Sequence, residues 1–134
     1  MAEVRKHNID LSKEDGHQYA LMLWSQQESV RREWPELALL YHIENERQCS
    51  QQQAARRKRM GVKKGVPDLC LPVKRGKYAG LYIELKTPMG RPSPDQNWWV
   101  HKLTEAGYDA CICYGWEVAR DEILRYLQLT GQQA

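Results

Sequence analysis

The stretch DLCLPVKRGKYAGLYIELK, residues 68–86, decides how the chain folds. Its two ends, Asp68-Leu69-Cys70-Leu71-Pro72-Val73 and Leu81-Tyr82-Ile83-Glu84-Leu85-Lys86, alternate apolar with other residues. Between them runs Lys74-Arg75-Gly76-Lys77-Tyr78-Ala79-Gly80. Two alternating runs joined by a Gly-containing link predict a β-hairpin. Pro72 has no N–H for the ladder, so it predicts an edge position or an irregularity.

Side chains on a strand alternate between faces. Leu69, Leu71 and Val73 share one face of the first strand, and Leu81, Ile83 and Leu85 one face of the second. If those sets lie together against the core, Asp68, Glu84 and Lys86 share the opposite face. A turn centred on Gly76 pairs Asp68 with Glu84, with Cβ atoms roughly 4.5–5.5 Å apart. Two carboxylates that close repel unless a cation sits between them. A hard divalent ion such as Mg²⁺ or Mn²⁺ suits carboxylate and carbonyl oxygens. Lys86, pointing the same way as Glu84, would hold a phosphate oxygen or a water beside it. A metal and an ammonium together suit phosphodiester hydrolysis. Taken alone, Glu84-x-Lys86 is also what an amphipathic surface strand carries. The preceding Gly65-Val66-Pro67-Asp68 raises the functional reading, because Gly65 permits an unusual backbone angle and Pro67 fixes the approach to Asp68.

Working outward, helical spacing of Ala20, Leu23, Trp24 and Gln27 predicts a helix from about Lys13 to Glu33, ended by Pro35. Leu39 to Ile43 reads as a short strand. Gln51 to Met60 reads as a basic helix stopped by Gly61. Ser93-Pro94-Asp95-Gln96 opens a further helix, with Ser93 as N-cap, Pro94 at the first position and Gln96 completing a capping box. Trp99, Leu103 and Ala106 are its apolar stripe, leaving Trp98 for the surface. Asp109 to Tyr114 is a strand. Glu117 to Leu129 is a last helix with Ala119, Ile123, Tyr126 and Leu127 on one face. The order α, β, α, β, β, α, β, α predicts an α/β fold, one mixed central sheet flanked by helices. Residues 1–12 read as a flexible polar arm and 13–130 as a single domain.

At 134 residues the chain is one domain's worth, and 28% charged with 42% hydrophobic residues excludes a disordered polymer. No apolar run approaches a membrane span, and Met1 to Lys6 is not followed by the apolar stretch of a secretion signal, so an intracellular protein is expected. Cys49, Cys70, Cys111 and Cys113 form no C-x-x-C pair and have no matching histidine spacing, which argues against structural zinc. His17, His42 and His101 are scattered and read as packing or surface residues. Arg56, Arg57, Lys58 and Arg59 with Lys63 and Lys64 form a basic cluster ahead of the motif. Such a cluster is either a solvated face or a phosphate-binding surface, and charge alone favours the first.

Pro67-Asp68 followed by Glu84-Leu85-Lys86 resembles the PD-(D/E)xK nuclease superfamily and its restriction-endonuclease-like core. Gly65-Val66-Pro67-Asp68, Ile83-Glu84-Leu85-Lys86-Thr87 and Ser93-Pro94-Asp95-Gln96, with Leu103, Ala106-Gly107-Tyr108 and the terminal Tyr126-Leu127, together resemble its virus-type replication-repair nuclease (VRR-NUC) family. The resemblance runs from about Glu14 to Leu127. It implies that Asp68, Glu84 and the Leu85 backbone carbonyl bind the metal and that Lys86 is catalytic. It matches Glu14 and Gln18 to an acid and a glutamine on the first helix. Glu14 would reach the metal directly or through water, and a first-turn glutamate is equally at home there beside the helix dipole. The resemblance also matches Gln96, whose capping role competes with any role in the site. Asn45 matches a loop asparagine, but its neighbours Glu44 and Glu46 depart from the family's pattern.

The activity this implies is a Mg²⁺- or Mn²⁺-dependent DNA endonuclease with no small-molecule cofactor. Standalone relatives resemble junction resolvases, which implies a homodimer cutting branched DNA such as Holliday junctions, in DNA repair. The Arg56, Arg57, Arg59, Lys63 and Lys64 cluster would then contact DNA. The alternatives are a nuclease or nickase with little structure preference, an inactive DNA-binding module, and a protein-interaction domain built on the Trp98 helix.

Overall fold

A computed structural model describes residues 8–44 and 50–131. Asn45, Glu46 and Cys49 lie outside the described residues. The elements in chain order are α1 (Glu14–Ser25), α2 (Glu28–Glu33), a 3₁₀ turn (Pro35–Leu39), β1 (Tyr41–His42), α3 (Gln51–Arg59), β2 (Leu69–Leu71), β3 (Leu81–Lys86), α4 (Pro94–Glu105), β4 (Asp109–Tyr114) and α5 (Trp116–Leu127). The strands form one sheet in the order β1-β2-β3-β4. β1 and β3 run antiparallel to β2, and β4 runs parallel to β3. The sheet is therefore mixed, and the fold is α/β as the element order predicts. Among the described residues, no helix is long and apolar enough to cross a membrane.

The hairpin register is the one its alternation requires. Leu69 pairs with Ile83, Cys70 with Tyr82 and Leu71 with Leu81, and one step further sets Asp68 against Glu84. The tip is offset from this ladder, because Arg75 bridges to Tyr78 there. One extra residue on the β2 arm absorbs the offset at Pro72-Val73, where the Val73 N–H turns back to the Leu71 carbonyl at 2.9 Å. Pro72 thus marks an irregularity, as expected. The buried Tyr126 hydroxyl donates to the Val73 carbonyl at 2.6 Å and anchors that kink to α5.

Leu69, Leu71, Leu81, Ile83 and Leu85 join Ala20, Leu21 and Trp24 of α1 and Ala119, Ile123, Tyr126 and Leu127 of α5 in one core. At about 25 cal/mol per Å² of apolar surface, each buried leucine or isoleucine contributes roughly 1.5–3 kcal/mol. Glu84 and Lys86 point away from this cluster, yet they are only 1% and 7% exposed. The polar face of β3 is therefore an enclosed site and not a solvated strand surface.

Several expectations change. The single helix over 13–33 is two helices. Gln27 takes an extended backbone, and the Arg31 guanidinium caps the Ser25 carbonyl at 2.7 Å. The buried face of α1 contains Leu21 in place of Leu23. The strand over 39–43 shrinks to two residues, because Pro35 starts a 3₁₀ turn that holds Leu39. Residues 8–12 are tied down where an arm was expected: Ile9 packs on the core and the Leu11 carbonyl accepts from His17. On α4, Ala106 is an exposed C-cap and Trp99 is half-buried, so the expected stripe is only partly covered.

Candidate active site

The acids meet at the C-terminal end of β3, where the first turn of α1 crosses it. Glu14, Asp68 and Glu84 each bring a carboxylate oxygen within 4.8 Å of the other two. The cluster grades from exposed Glu14 through half-buried Asp68 to buried Glu84. Lys86 Nζ lies 3.5 Å from Glu14 Oε2 and 3.8 Å from Glu84 Oε2. Lys86 thus bridges Glu14 and Glu84, with the Asp68 carboxylate in the same cluster.

Each carboxylate is held from a different element. Asp68 Oδ2 accepts the Leu85 N–H at 2.8 Å. Its own carbonyl accepts the Ile43 N–H at 2.7 Å and faces His42 Nδ1 at 2.9 Å. Pro67, which leads into it, is fully buried. Gly65 has φ +88°, and a Cβ there would lie 2.7 Å from the Asp95 backbone, so only glycine fits the approach. Gln96 donates from Nε2 to Glu84 Oε2 at 3.2 Å, while its Oε1 accepts the Ser93 N–H at 2.8 Å. The capping and site roles expected to compete are filled together, one by each end of the amide.

Burial pushes the Glu84 carboxyl up to about 9, and the negative charge of Asp68 adds to the shift while Lys86 opposes it. Glu84 Oε1 is buried and has no hydrogen-bond partner among the described residues. A buried carboxylate oxygen left without a partner is costly unless a proton or a cation completes it. A hard divalent cation therefore fits the Glu14, Asp68 and Glu84 set.

His17 is a positioning residue that the sequence reading left among the scattered histidines. It is buried one turn beyond Glu14. Its Nδ1 accepts the Trp116 N–H at 3.0 Å, so Nε2 carries the proton and donates to the Leu11 carbonyl at 2.9 Å. This ties the turn that carries Glu14 to the start of α5. Its place three residues after Glu14 was a usable signal. For His42, 26 residues from Asp68, there was none.

The outer residues are less gathered. Gln18 is half-buried one turn after Glu14, and Asn45 lies outside the described residues. Arg56, Arg59, Lys63 and Lys64 are exposed and Arg57 is half-buried, and no residue of α3 is buried. Apart from Arg57, whose Nη1 is buried, the basic helix presents its charges to solvent, and the loop that leads to Asp68 joins it to the site. Cys111 and Cys113 pack side by side with Sγ atoms 3.8 Å apart, and neither contributes to the acid cluster.

No curated protein matches the chain at a significant level. A solved structure described as a VRR_NUC domain protein is 33% identical, covers 88% of this chain and 90% of its own, and superposes with a TM-score of 0.73. The family model for the VRR-NUC domain matches residues 12–117, which take in every element from α1 to β4 and all three acids. On that match, and on the acid cluster it encloses, the chain belongs to the VRR-NUC domain family, a family of nucleases.

Proposed function

We propose that the protein is a divalent-metal-dependent DNA endonuclease. The observation that carries this reading is the buried Glu84 Oε1, without a hydrogen-bond partner among the described residues, beside Asp68 and Glu14 and with the Lys86 ammonium at the edge of the cluster. Asp68, Glu84 and the Leu85 carbonyl would hold Mg²⁺ or Mn²⁺, with Glu14 completing the set directly or through water. The bound metal supplies a polarised phosphoryl oxygen and a water of lowered pKa.

The chain's own groups do the positioning. Lys86 orients the attacking water and offsets charge that develops on the phosphate. The Leu85 N–H fixes the rotation of Asp68, and Gln96 fixes that of Glu84. Gln18 supports the helix face that carries Glu14, and Asn45 is the loop asparagine that the family resemblance matches. Arg56, Arg57, Arg59, Lys63 and Lys64 contact the phosphate backbone. Residues 13–130 act as one nuclease domain, inside the cell and in DNA repair. The resemblance to standalone family members supports a homodimer acting on branched DNA.

One cleavage panel tests this: four-way junction, flap, single-stranded and linear duplex DNA, each with Mg²⁺, Mn²⁺ or EDTA. Metal-dependent cutting with preference for the junction is expected. Cutting that persists in EDTA overturns the metal role, and equal rates on junction and linear duplex overturn the branched substrate.

A further inference from the structure

We propose that Trp98, backed by Trp99 on the helix that holds the Lys63-Lys64 segment, is a stacking platform for one unpaired nucleobase of the DNA that the protein binds. This rests on the DNA nuclease reading above and adds the form of DNA that is gripped.

Trp98 is 54% exposed on α4. It does not stand alone. Trp99 meets it edge to face, with centroids 5.5 Å apart and planes at 86°. The Trp99 indole N–H donates to the Lys64 carbonyl at 3.0 Å, which locks that ring and holds the Lys63-Lys64 segment beside the pair. Gly65 against the Asp95 backbone fastens the same loop to the first turn of α4. Both lysines are exposed, so this stretch offers two cations against the single acid Asp95.

Trp98 shares α4 with Gln96, which contacts Glu84, but side chains two residues apart on a helix point to opposite sides, so the platform lies on the outer side of α4 from Glu84. An exposed indole near a basic segment suits single-stranded nucleic acid binding, where bases stack and phosphates pair. A continuous duplex keeps its base faces covered and offers the indole nothing but backbone. The charge also discriminates between occupants. A second copy would bring its own lysine pair against this one, whereas a polyanion is attracted to it.

The test is fluorescence anisotropy of the full chain with EDTA present, on a duplex carrying an unpaired thymidine tail and on the fully paired duplex. Trp98→Ala should weaken binding to the tailed DNA about 5- to 150-fold, the range for loss of one stacked base. Binding to the paired duplex should change far less, and Trp98→Phe should recover most of the loss. Moving one abasic residue along the tail should reveal a single sensitive position in the parent protein and none in Trp98→Ala. Equal losses on both DNAs, a flat abasic scan, or full tail affinity in Trp98→Ala each overturn the platform. So does sedimentation showing that Trp98→Ala disrupts a dimer while tail preference persists. Failure of the parent protein to cut any DNA with Mg²⁺ or Mn²⁺ would instead sink the nuclease reading. Cutting with unchanged tail preference in Trp98→Ala sinks only this inference.

Discussion

Gln96 and Glu84 are joined by a hydrogen bond of 3.2 Å from an amide whose other end closes a helix cap. The folding of the first turn of α4 and the aim of the buried carboxylate are thus one event. Gln96→Ala removes both. Loss of the outer partner of a metal-binding carboxylate should lower metal affinity or activity about 10- to 100-fold. Gln96→Glu keeps the capping acceptor but sets a carboxylate against Glu84. In thermal melts without metal it should match the parent up to pH 8 and fall below it above pH 9, where Glu84 ionises.

Lys86→Ala should remove cleavage, with single-turnover rates down at least about a thousandfold, since the ammonium is expected to act on the transition state. DNA affinity in EDTA should hold within a fewfold. A variant that still cuts at the parent rate would show that the lysine only balances Glu14 and Glu84.

The Glu84 carboxyl, pushed up to about 9, makes the metal-free protein sensitive to pH in a definite direction. Its folded pKa lies above the unfolded value, so between pH 4.5 and 9 the folded state binds more protons than the unfolded one. Stability must then fall as pH rises. Urea melts in EDTA should show a midpoint that drops from pH 5 to pH 8. Glu84→Gln should flatten that slope. Because a metal competes with the proton, stabilisation by saturating Mg²⁺ should be larger at pH 8 than at pH 5.

His17→Ala leaves the Trp116 N–H and the Leu11 carbonyl without their partner in a buried place. Such a loss costs about 1–3 kcal/mol and is readable as a lower denaturation midpoint. Because His17 steadies the turn that carries Glu14, the metal concentration needed for half-maximal cleavage should rise as well. A midpoint shift without that rise would confine His17 to the fold.

Replacing Arg56, Arg57 and Arg59 by alanine should reduce the slope of log affinity against log salt by up to about 2.7, at roughly 0.9 per phosphate contact. An unchanged slope would return α3 to a solvated face.

The hairpin and the acid pair were legible because strand period and hairpin register are local properties. Asp68, Glu84 and Lys86 fall on one face from alternation alone, and the ladder keeps Asp68 opposite Glu84 although the tip is shifted by the Pro72-Val73 kink. Capping at Ser93 and the buried face of α5 were equally local. What escaped was tertiary. Nothing near Gln27 announces a break, which depends on Arg31 reaching back to Ser25. Nothing near His17 says that a backbone N–H from 99 residues away will be its partner. The depth of Glu84 was invisible as well, since a Glu-x-Lys reads the same whether water or a helix covers it.

At Gly65 the loop that delivers Asp68 and the helix that delivers Gln96 touch main chain to main chain, with no room for a side chain between them. The distance across the reaction chamber is therefore machined to the thickness of a peptide, and one added methyl would act as a wedge in its wall. Such a wedge would part the walls that carry Asp68 and Gln96, and the left-handed backbone adds strain, so a side chain at this position costs both cutting and stability.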